Sequence, residues 1–379
     1  MKIIIGADMV PTKTNEKEFC DGNIKEIVSE RVTDILKTSD FRIFNLEVPL
    51  SDQPFPISKF GPNLIAKTST IHGMKEIGVD LFTIANNHIL DHGTKGLYST
   101  MDVLTQNGIR YVGAGKNRNK ASEPFYFEKD EIKLGVYACA EHEFSIAADE
   151  GAGANPYDPL ESFDDVQNIK SNCDYVIVLY HGGKEHYRYP SPELQKVCGK
   201  FLKKGADLVV CQHSHCIGCM EQRSEGTIVY GQGNFIFDDK DNEFWNTSLL
   251  IEITLDKTSQ SISYIPIVKN GNGVDIALND EADRILSQFY DRSSKLLTPG
   301  FVDEEYKKFA EQEIIKYLAV IHGHESLLFK LCNKALRNRL RRYVVRRRYT
   351  SKDLLGLKNY IECEAHRELI IKGINEMLK

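Results

Sequence analysis

The chain has 379 residues, of which 41% are hydrophobic and 27% are charged, a balance typical of soluble globular proteins. This composition excludes a disordered chain and a fibrous repeat, and the length allows two domains or one large α/β domain with an appendage. The formal charge is −6, from 48 Lys and Arg against 54 Asp and Glu. We therefore expect no nucleic-acid partner.

The N-terminal segment MKIIIGADMV has too short an apolar run for a secretory signal, and no other stretch is apolar enough to span a membrane. The nine cysteines are odd in number and irregularly spaced, and several lie in apolar runs such as VYACA. We therefore expect reduced, buried thiols and a cytoplasmic protein.

Short β-branched runs alternate with amphipathic stretches as far as about Ile276, which predicts an α/β layered fold. We predict helices in this part at residues 24–38, 69–77, 95–107 and 192–204. Gly108 and Gly205 follow the last two, at the position where a helix C-terminus favours glycine.

Six apolar strands each end on a residue that can bind a metal ion or form a hydrogen bond. In chain order, KIII precedes Gly6 and Asp8, FRIFNL precedes Glu47, LFTIA precedes Asn86, Asn87 and His88, YVIVLY precedes His181, ADLVVC precedes His213 and His215, and TIVYGQG precedes Asn234. In open α/β sheets the ligand site lies beyond the carboxyl ends of the strands. We therefore expect the six ends to converge on one edge of one sheet.

The mixture of carboxylate, amide and imidazole donors suits Mn, Fe, Zn or Co better than calcium. The donors are numerous enough for two divalent ions, which together activate water and stabilise charge on a phosphoryl or acyl oxygen. Glu47 or Asp8 is the candidate for the bridging carboxylate. His213 and His215 are two residues apart, so on an extended segment both rings point the same way.

Two further motifs contain candidates for metal binding, proton transfer or substrate binding. In ANNHILD, Asn87 is a candidate metal ligand, His88 can protonate a leaving group and Asp91 can orient the His88 ring. In HGGKEH, Glu185 can bind substrate or act as an acid. A purely structural role for these residues stays open, as does a structural zinc bound by Cys216 and Cys219.

The character of the sequence changes near Ala282, where helical periodicity replaces strand-like runs. We predict helices at 282–291, 303–321, 325–345 and 352–378. The turn-rich sequence NGNG at 270–273 marks the predicted boundary between a domain at 1–275 and a helical region at 280–379.

Residues 330–350 contain nine Lys or Arg and no Asp or Glu, with apolar residues interleaved. This pattern predicts an amphipathic helix with a cationic face. Such a face is either simply solvated or contacts an anionic membrane surface, an acidic polymer or a phosphorylated partner.

The motifs GADMV, FNLEVPLSD, ANNHILDHGTKGL, YHGGKEH, GADLVVCQHSH and VYGQGNFIF occur in the order and spacing of a known family. Residues 1–270 resemble the CapA family of poly-γ-glutamate capsule biosynthesis proteins, which looks like a branch of the calcineurin-like metallophosphatase superfamily. The resemblance implies a two-sheet α/β sandwich with a dinuclear metal site, to which this chain adds a helical C-terminal appendage. Gln212 and Ser214 depart from the family's usual pattern.

Carried over by position, the resemblance implies roles for individual residues. The implied metal ligands are Asp8, Glu47, Asn87, His181, His213 and His215. His88 is the implied catalytic histidine, supported by Asp91, and Glu185 is assigned to catalysis with less support. Asn86 and Asn234 are assigned to substrate binding.

We therefore predict a metal-dependent hydrolase that uses two divalent ions, Mn, Fe or Zn, to cleave a phosphoester or γ-glutamyl amide in a small-molecule or polymer substrate. The role in capsule or poly-γ-glutamate biosynthesis comes from the resemblance. The alternative is a non-catalytic capsule-assembly or scaffold protein that binds an acidic polymer or partner. A nucleotide phosphodiesterase is a weaker third hypothesis, because no base-recognition motif is evident.

Overall fold

The computed structural model describes residues 1–238, 242–257, 259–324 and 326–378. The chain divides into two compact units, Met1–Asp303 and Glu304–Lys379. A search of the described residues finds no helix that is both long and apolar enough to cross a membrane.

The strands all lie in the first unit. In chain order they are β1 (Lys2–Val10), β2 (Phe41–Leu46), β3 (Leu81–Thr83), β4 (Arg110–Val112), β5 (Ala114–Gly115), β6 (Phe125–Lys129), β7 (Ile132–Ala140), β8 (Gly153–Ala154), β9 (Tyr175–His181), β10 (Leu208–Gln212), β11 (Met220–Gln222), β12 (Thr227–Tyr230), β13 (Asn234–Phe237), β14 (Thr247–Leu255), β15 (Gln260–Asn270) and β16 (Gly273–Ile276).

The α-helices occur in both units. They are α1 (Glu16–Asp21), α2 (Glu30–Lys37), α3 (Ile71–Ile77), α4 (Gly93–Gln106), α5 (Arg118–Ala121), α6 (Ser162–Lys170), α7 (Pro192–Lys203), α8 (Glu243–Asn246), α9 (Asn279–Lys295), α10 (Phe301–Ile321), α11 (Leu327–Ala335), α12 (Arg339–Arg348), α13 (Ser351–Glu362) and α14 (Glu364–Met377).

Two sheets form the first unit. The larger has the order β16-β15-β14-β1-β2-β3-β4, with β13 also paired to β1, and the smaller has the order β11-β12-β10-β9-β7-β6. The strands β1 to β4 run parallel, as do β7, β9, β10 and β12. The predicted α/β two-sheet sandwich with a helical C-terminal region is confirmed.

The sheets share one core because successive side chains of a strand point to opposite faces. In β9, Ile177 and Leu179 join the hydrophobic core that also contains Ile3 and Ile43 of the larger sheet. The intervening Val176 and Val178 pack instead with residues of α6 and α7. The smaller sheet is therefore buried on both faces, which explains its nearly continuous apolar runs.

The NGNG sequence lies within the first unit, where it forms the turn between β15 and β16. Beyond it, Ile285 and Phe289 of α9 are buried in the same core as the strands. The division into compact units consequently falls at Asp303 and not between 275 and 280.

The helices predicted in the first unit occur, but the bounds of several differ from the prediction. The stretch 24–38 is a short 3-10 turn followed by α2, because Val28 bridges to Val274 and the Ser29 hydroxyl caps the new helix at the Val32 amide. The predictions that ended at Gly108 and Gly205 are confirmed to within two residues, and both glycines have positive φ, 72° and 107°.

The two long C-terminal helices predicted at 325–345 and 352–378 are wrong as continuous helices. Arg337 and Asn338 adopt left-handed conformations with φ of 51° and 64°, which separates α11 from α12. Extended Cys363 separates α13 from α14. Amphipathic periodicity continues across both breaks, so it could not reveal them.

Candidate metal centre

The side chains predicted to bind metal ions come from both sheets and lie close together. Asp8 lies near the end of β1, and Glu47 follows β2 directly, whereas His181 ends β9 in the other sheet. Three strand ends come from each sheet, so the expectation of one edge of one sheet is wrong. The site lies between the carboxyl ends of two packed sheets, and this lets donors approach from two sides.

The donor atoms form two overlapping groups that share Glu47. One group contains Glu47, His181 and His213, and the other contains Asp8, Glu47 and His215. Within each group the candidate ligand atoms lie within 4.8 Å of one another. A bridging carboxylate has to belong to both groups, so of the two predicted candidates, Glu47 and Asp8, the geometry favours Glu47.

Asn87 adds an amide oxygen to the first group. Its Oδ1 lies 3.1 Å from Nε2 of His181, which is itself 3.2 Å from Oε1 of Glu47. Its Nδ2 donates a 2.8 Å hydrogen bond to Oε2 of Glu143. Because the amide nitrogen is engaged, the oxygen faces the donor cluster.

Several buried donor atoms of this cluster accept or donate no hydrogen bond among the described residues. They are Oδ2 of Asp8, both carboxylate oxygens of Glu47 and Nδ1 of His213. Asp8 and Glu47 are fully buried, and a buried polar atom without a partner is costly. Cations would satisfy these oxygen and nitrogen donors, so the residues fit divalent metal ions.

Burial and the interactions among neighbouring groups shift the pKa values of the ionisable side chains in this cluster. Burial, together with the nearby Asp8 carboxylate, raises the pKa of Glu47 to about 8. Burial lowers the pKa of His181 to about 4 and that of His213 well below its usual value. Burial also opposes the charged form of His215, but Glu47 and Asp8 outweigh it and raise the pKa of His215 to about 9.

The His213 and His215 rings converge through a turn and not through extended backbone. Their φ angles are 97° and 51°, an unusual conformation for residues other than glycine. Backbone strain at ligand residues is sustained only where the surroundings enforce it. The two-residue spacing therefore brings both rings to the donor cluster through a loop, and not through an extended segment.

The predicted pair of His88 and Asp91 is assembled. Nδ1 of His88 lies 2.6 Å from Oδ2 of Asp91, which is fully buried. Lys59 also reaches this pair, because its ammonium group donates to Oδ1 of Asp91 and lies 3.3 Å from Nδ1 of His88. The side chain of Lys59 is only 2% exposed.

The loop that carries Lys59 is fastened to the turn that carries His88 and Asp91. The Leu64 amide donates to Oδ2 of Asp91 at 2.6 Å, and the Ile57 amide donates to the Asp91 carbonyl at 3.0 Å. Asp91 thus receives hydrogen bonds from three directions. The sequence did not reveal Lys59, because a lysine in a loop of mixed composition has no spacing that ties it to a distant histidine.

The Asn86 side chain is held by hydrogen bonds to its neighbours, and its predicted contact with substrate stays a prediction. Its side chain is fully buried, its Nδ2 donates to the Leu46 carbonyl at 2.8 Å, and its Oδ1 accepts from the His88 amide at 3.1 Å. Asn86 therefore fixes the turn to the neighbouring strand β2. Asn234 lies beside the ligands, with Oδ1 2.9 Å from Nδ1 of His215, so it orients that ring.

Glu185 is half-exposed at the margin of the cluster. Burial alone would raise its pKa, but the nearby His213 and His215 outweigh burial, so the pKa of Glu185 lies below its usual value. The two roles predicted for Glu185, contact with substrate and action as an acid, both stay predictions.

Two residues near the ligands were missed. Asn45 donates a 2.7 Å hydrogen bond from Nδ2 to Oδ1 of Asp8, and Glu143 holds Asn87. Both had a signal in the sequence. Asn45 is two residues from Glu47 at the end of FRIFNL. Glu143 follows the apolar run VYACA, which is a seventh strand that ends on residues able to bind a metal ion or form a hydrogen bond.

Within the described part of the chain, neither donor group contains a cysteine. Cys216 and Cys219 are buried free thiols. The hypothesis of a structural zinc bound by these two residues gains no support from the structure.

Comparison with known proteins points to one family. Residues 5–239 match the family model described as bacterial capsule synthesis protein PGA_cap. The chain is 28% identical over 291 residues to the capsule biosynthesis protein CapA of Bacillus anthracis, covering 72% of this chain and 71% of that protein. It is 25% identical over 216 residues to the PGA biosynthesis protein CapA of Bacillus subtilis (strain 168), covering 56% and 57%.

Similar solved structures include a phosphatase from Mycoplasma pneumoniae. That structure is 15% identical in sequence, with 77% of this chain and 98% of that chain covered, and the TM-score is 0.43.

Proposed function

Because the chain belongs to the bacterial capsule synthesis protein family, we propose that it is a metal-dependent hydrolase of capsule biosynthesis. The observation that supports this activity is the pair of donor groups that share the fully buried Glu47. In this proposal Asn87, His181 and His213 would hold one divalent ion with Glu47. Asp8 and His215 would hold the second with the same carboxylate.

When bound, two divalent ions supply an activated water nucleophile and stabilise negative charge in the transition state. The protein's own residues do the remaining work. Asp91 engages Nδ1 of His88, which leaves Nε2 of that ring to deliver a proton to the leaving group. Lys59 holds the other oxygen of Asp91, so the carboxylate and the ring are both fixed.

The proposed substrate carries a phosphoester or a γ-glutamyl amide bond. Hydrolysis of either bond develops negative charge on the oxygens bound to the attacked phosphorus or carbon, and an alkoxide or amine leaving group needs a proton. The amide is favoured by the name of the Bacillus subtilis relative, a PGA biosynthesis protein.

Metal stoichiometry tests the proposal first. After incubation with manganese or zinc and removal of excess ion, elemental mass spectrometry should find two ions per wild-type chain. His213→Ala with His215→Ala should retain fewer than one. The matched control is His72→Ala with His366→Ala, two exposed histidines, which should retain both ions.

Turnover tests the role of His88. On glycerophosphocholine, whose alkoxide leaving group needs a proton, and on γ-glutamyl p-nitroanilide, His88→Ala should lose about 100-fold or more in rate while keeping its metal content. Wild-type turnover by His88→Ala would remove it as the acid. Absence of metal from the wild type under all loading conditions would overturn the hydrolase and favour the scaffold hypothesis.

A further inference from the structure

The second unit buries few of its apolar residues. Its hydrophobic core consists of Leu318, Ala319 and Val345, with Ile315 and others partly buried against it. Large apolar side chains of α11, α13 and α14 are instead exposed. They include Leu327, Leu328, Leu331, Leu355, Ile361, Leu369, Ile371 and Ile374. On α11, Leu327, Leu328 and Leu331 are adjacent or one turn apart, so they form one exposed apolar patch, and such a patch indicates a contact surface.

Helix α11 presents an apolar stripe away from its own core. Leu327 and Leu331 are one turn apart and are 74% and 57% exposed, and adjacent Leu328 is 72% exposed. Asn333, on the opposite side of the helix, is 4% exposed. The most apolar face of this helix therefore points outward, the reverse of the arrangement in a helix that packs onto a core.

Helix α12 follows with an exposed cationic face. Its sequence is RLRRYVVRRR, and Val345 is its buried residue. Arg339, Arg342 and Arg346 are exposed and lie at spacings of three and four, so they share one side of the helix. Lys334 is exposed in the preceding helix α11.

A buried asparagine fixes the corner between these helices. Asn333 donates from Nδ2 to Oδ1 of Asn338 at 2.8 Å and accepts from the Arg341 amide at 2.9 Å. These bonds join the last turn of α11 to the first turn of α12. The apolar stripe and the cationic face are thus held in a defined relation and do not belong to independently moving helices.

The charge of this region is strongly one-sided. Residues 326–352 contain ten Lys and Arg and no Asp or Glu. A surface with exposed leucines beside arginines matches an anionic bilayer, where apolar side chains enter the acyl boundary and cations meet the headgroups.

We propose that α11 and α12 form a docking surface for anionic phospholipid bilayers. An acidic polymer would pair with the arginines but would provide no apolar environment for Leu327, Leu328 and Leu331. A second copy of the chain explains the leucines but would bring like-charged α12 helices together. A bilayer explains both features, and the inference does not depend on the proposed hydrolase activity.

Vesicle sedimentation of the full chain tests the surface. Protein should bind vesicles of phosphatidylcholine with about 30% phosphatidylglycerol, should bind pure phosphatidylcholine at least about tenfold more weakly, and should weaken as salt rises. The charge variant is Arg339→Gln, Arg342→Gln and Arg346→Gln. The apolar variant is Leu327→Gln and Leu331→Gln. Each should lower the fraction bound at least about tenfold.

Matched controls separate this surface from general effects of charge or hydrophobicity. Lys17→Gln, Lys25→Gln and Lys37→Gln remove the same charge from exposed positions of the first unit. Leu160→Gln and Leu297→Gln remove two leucines that are 80% and 78% exposed. Both controls should bind like wild type, and circular dichroism should give the same helix content for every variant.

Three outcomes would overturn the proposal. Equal binding to the two vesicle types would remove the requirement for anionic lipid. Loss of binding in the charge variant alone, with soluble polyglutamate competing at equal charge concentration, would assign the surface to an acidic polymer. A dimer by light scattering that the apolar variant dissociates, without vesicle binding by either, would assign it to a second copy.

Discussion

The two units of this protein use the same residue types in opposite ways. The first has 31 Lys and Arg against 44 Asp and Glu, a formal charge of −13, and it encloses a core drawn from both sheets. The second has 17 Lys and Arg against 10 Asp and Glu, a formal charge of +7, and leaves many leucines and isoleucines exposed. Apolar residues thus build a scaffold for buried ligands in one unit and a surface in the other.

The largest expected effect is on the core of the first unit. Phe44 is fully buried, and its ring occupies the space that a Cβ on Gly6 would need. Phe44→Ala should lower the free energy of unfolding by about 3–5 kcal/mol, because it leaves a cavity between packed strands. Denaturant unfolding monitored by Trp245, the single tryptophan, reports on this unit. A change below about 1 kcal/mol would contradict the rigid core.

Glu47→Gln tests whether the buried cluster binds metal ions. Removing the shared carboxylate should weaken metal binding and turnover by more than about 100-fold, beyond the usual effect of losing a residue that only supports a ligand. In metal-free protein at pH 9, above the pKa of about 8 that burial gives Glu47, the same change should raise the melting temperature, because it removes a buried, ionised carboxylate that has no hydrogen bond. Calorimetry with and without metal measures both effects, and Glu128→Gln at an exposed position is the control.

Lys59 should affect turnover less than Glu47 and leave the metal content unchanged. Lys59→Met removes the cation that holds Asp91, and we expect a loss of about 10-fold to 100-fold in kcat with a smaller change in KM. Lys59→Arg should recover part of that loss because it retains a donor and a positive charge. A purely structural role would instead lower stability in both variants without separating kcat from KM.

The smallest effect should come from the exposed leucines of the second unit. Leu331→Ala should change the free energy of unfolding by less than about 0.5 kcal/mol, because the side chain is already 57% exposed. Circular dichroism during thermal unfolding of the full chain measures it. A cost near that of Phe44→Ala would mean that this leucine is buried in solution, and the contrast between the units would be lost.

Much of the fold was predictable from local patterns. Strand ends marked Asp8, Glu47 and His181, and the structure brings these side chains together. Glycines at 108 and 205 marked helix ends correctly. The breaks at Asn338 and Cys363 were not predictable, because periodicity records which face is apolar and not whether the backbone turns between two amphipathic segments.

The sequence by itself determined the donor types, their attachment to strand ends and the opposite charges of the two regions, because these depend only on residue identity and local spacing. Only the tertiary structure decided that the candidate ligands come from two sheets, that Lys59 reaches Asp91 from a loop, and that the Asn86 side chain forms hydrogen bonds with Leu46 and His88. It also decided that the leucines of α11 face outward. These features depend on contacts between residues far apart in the chain, and local spacing carries no information about them.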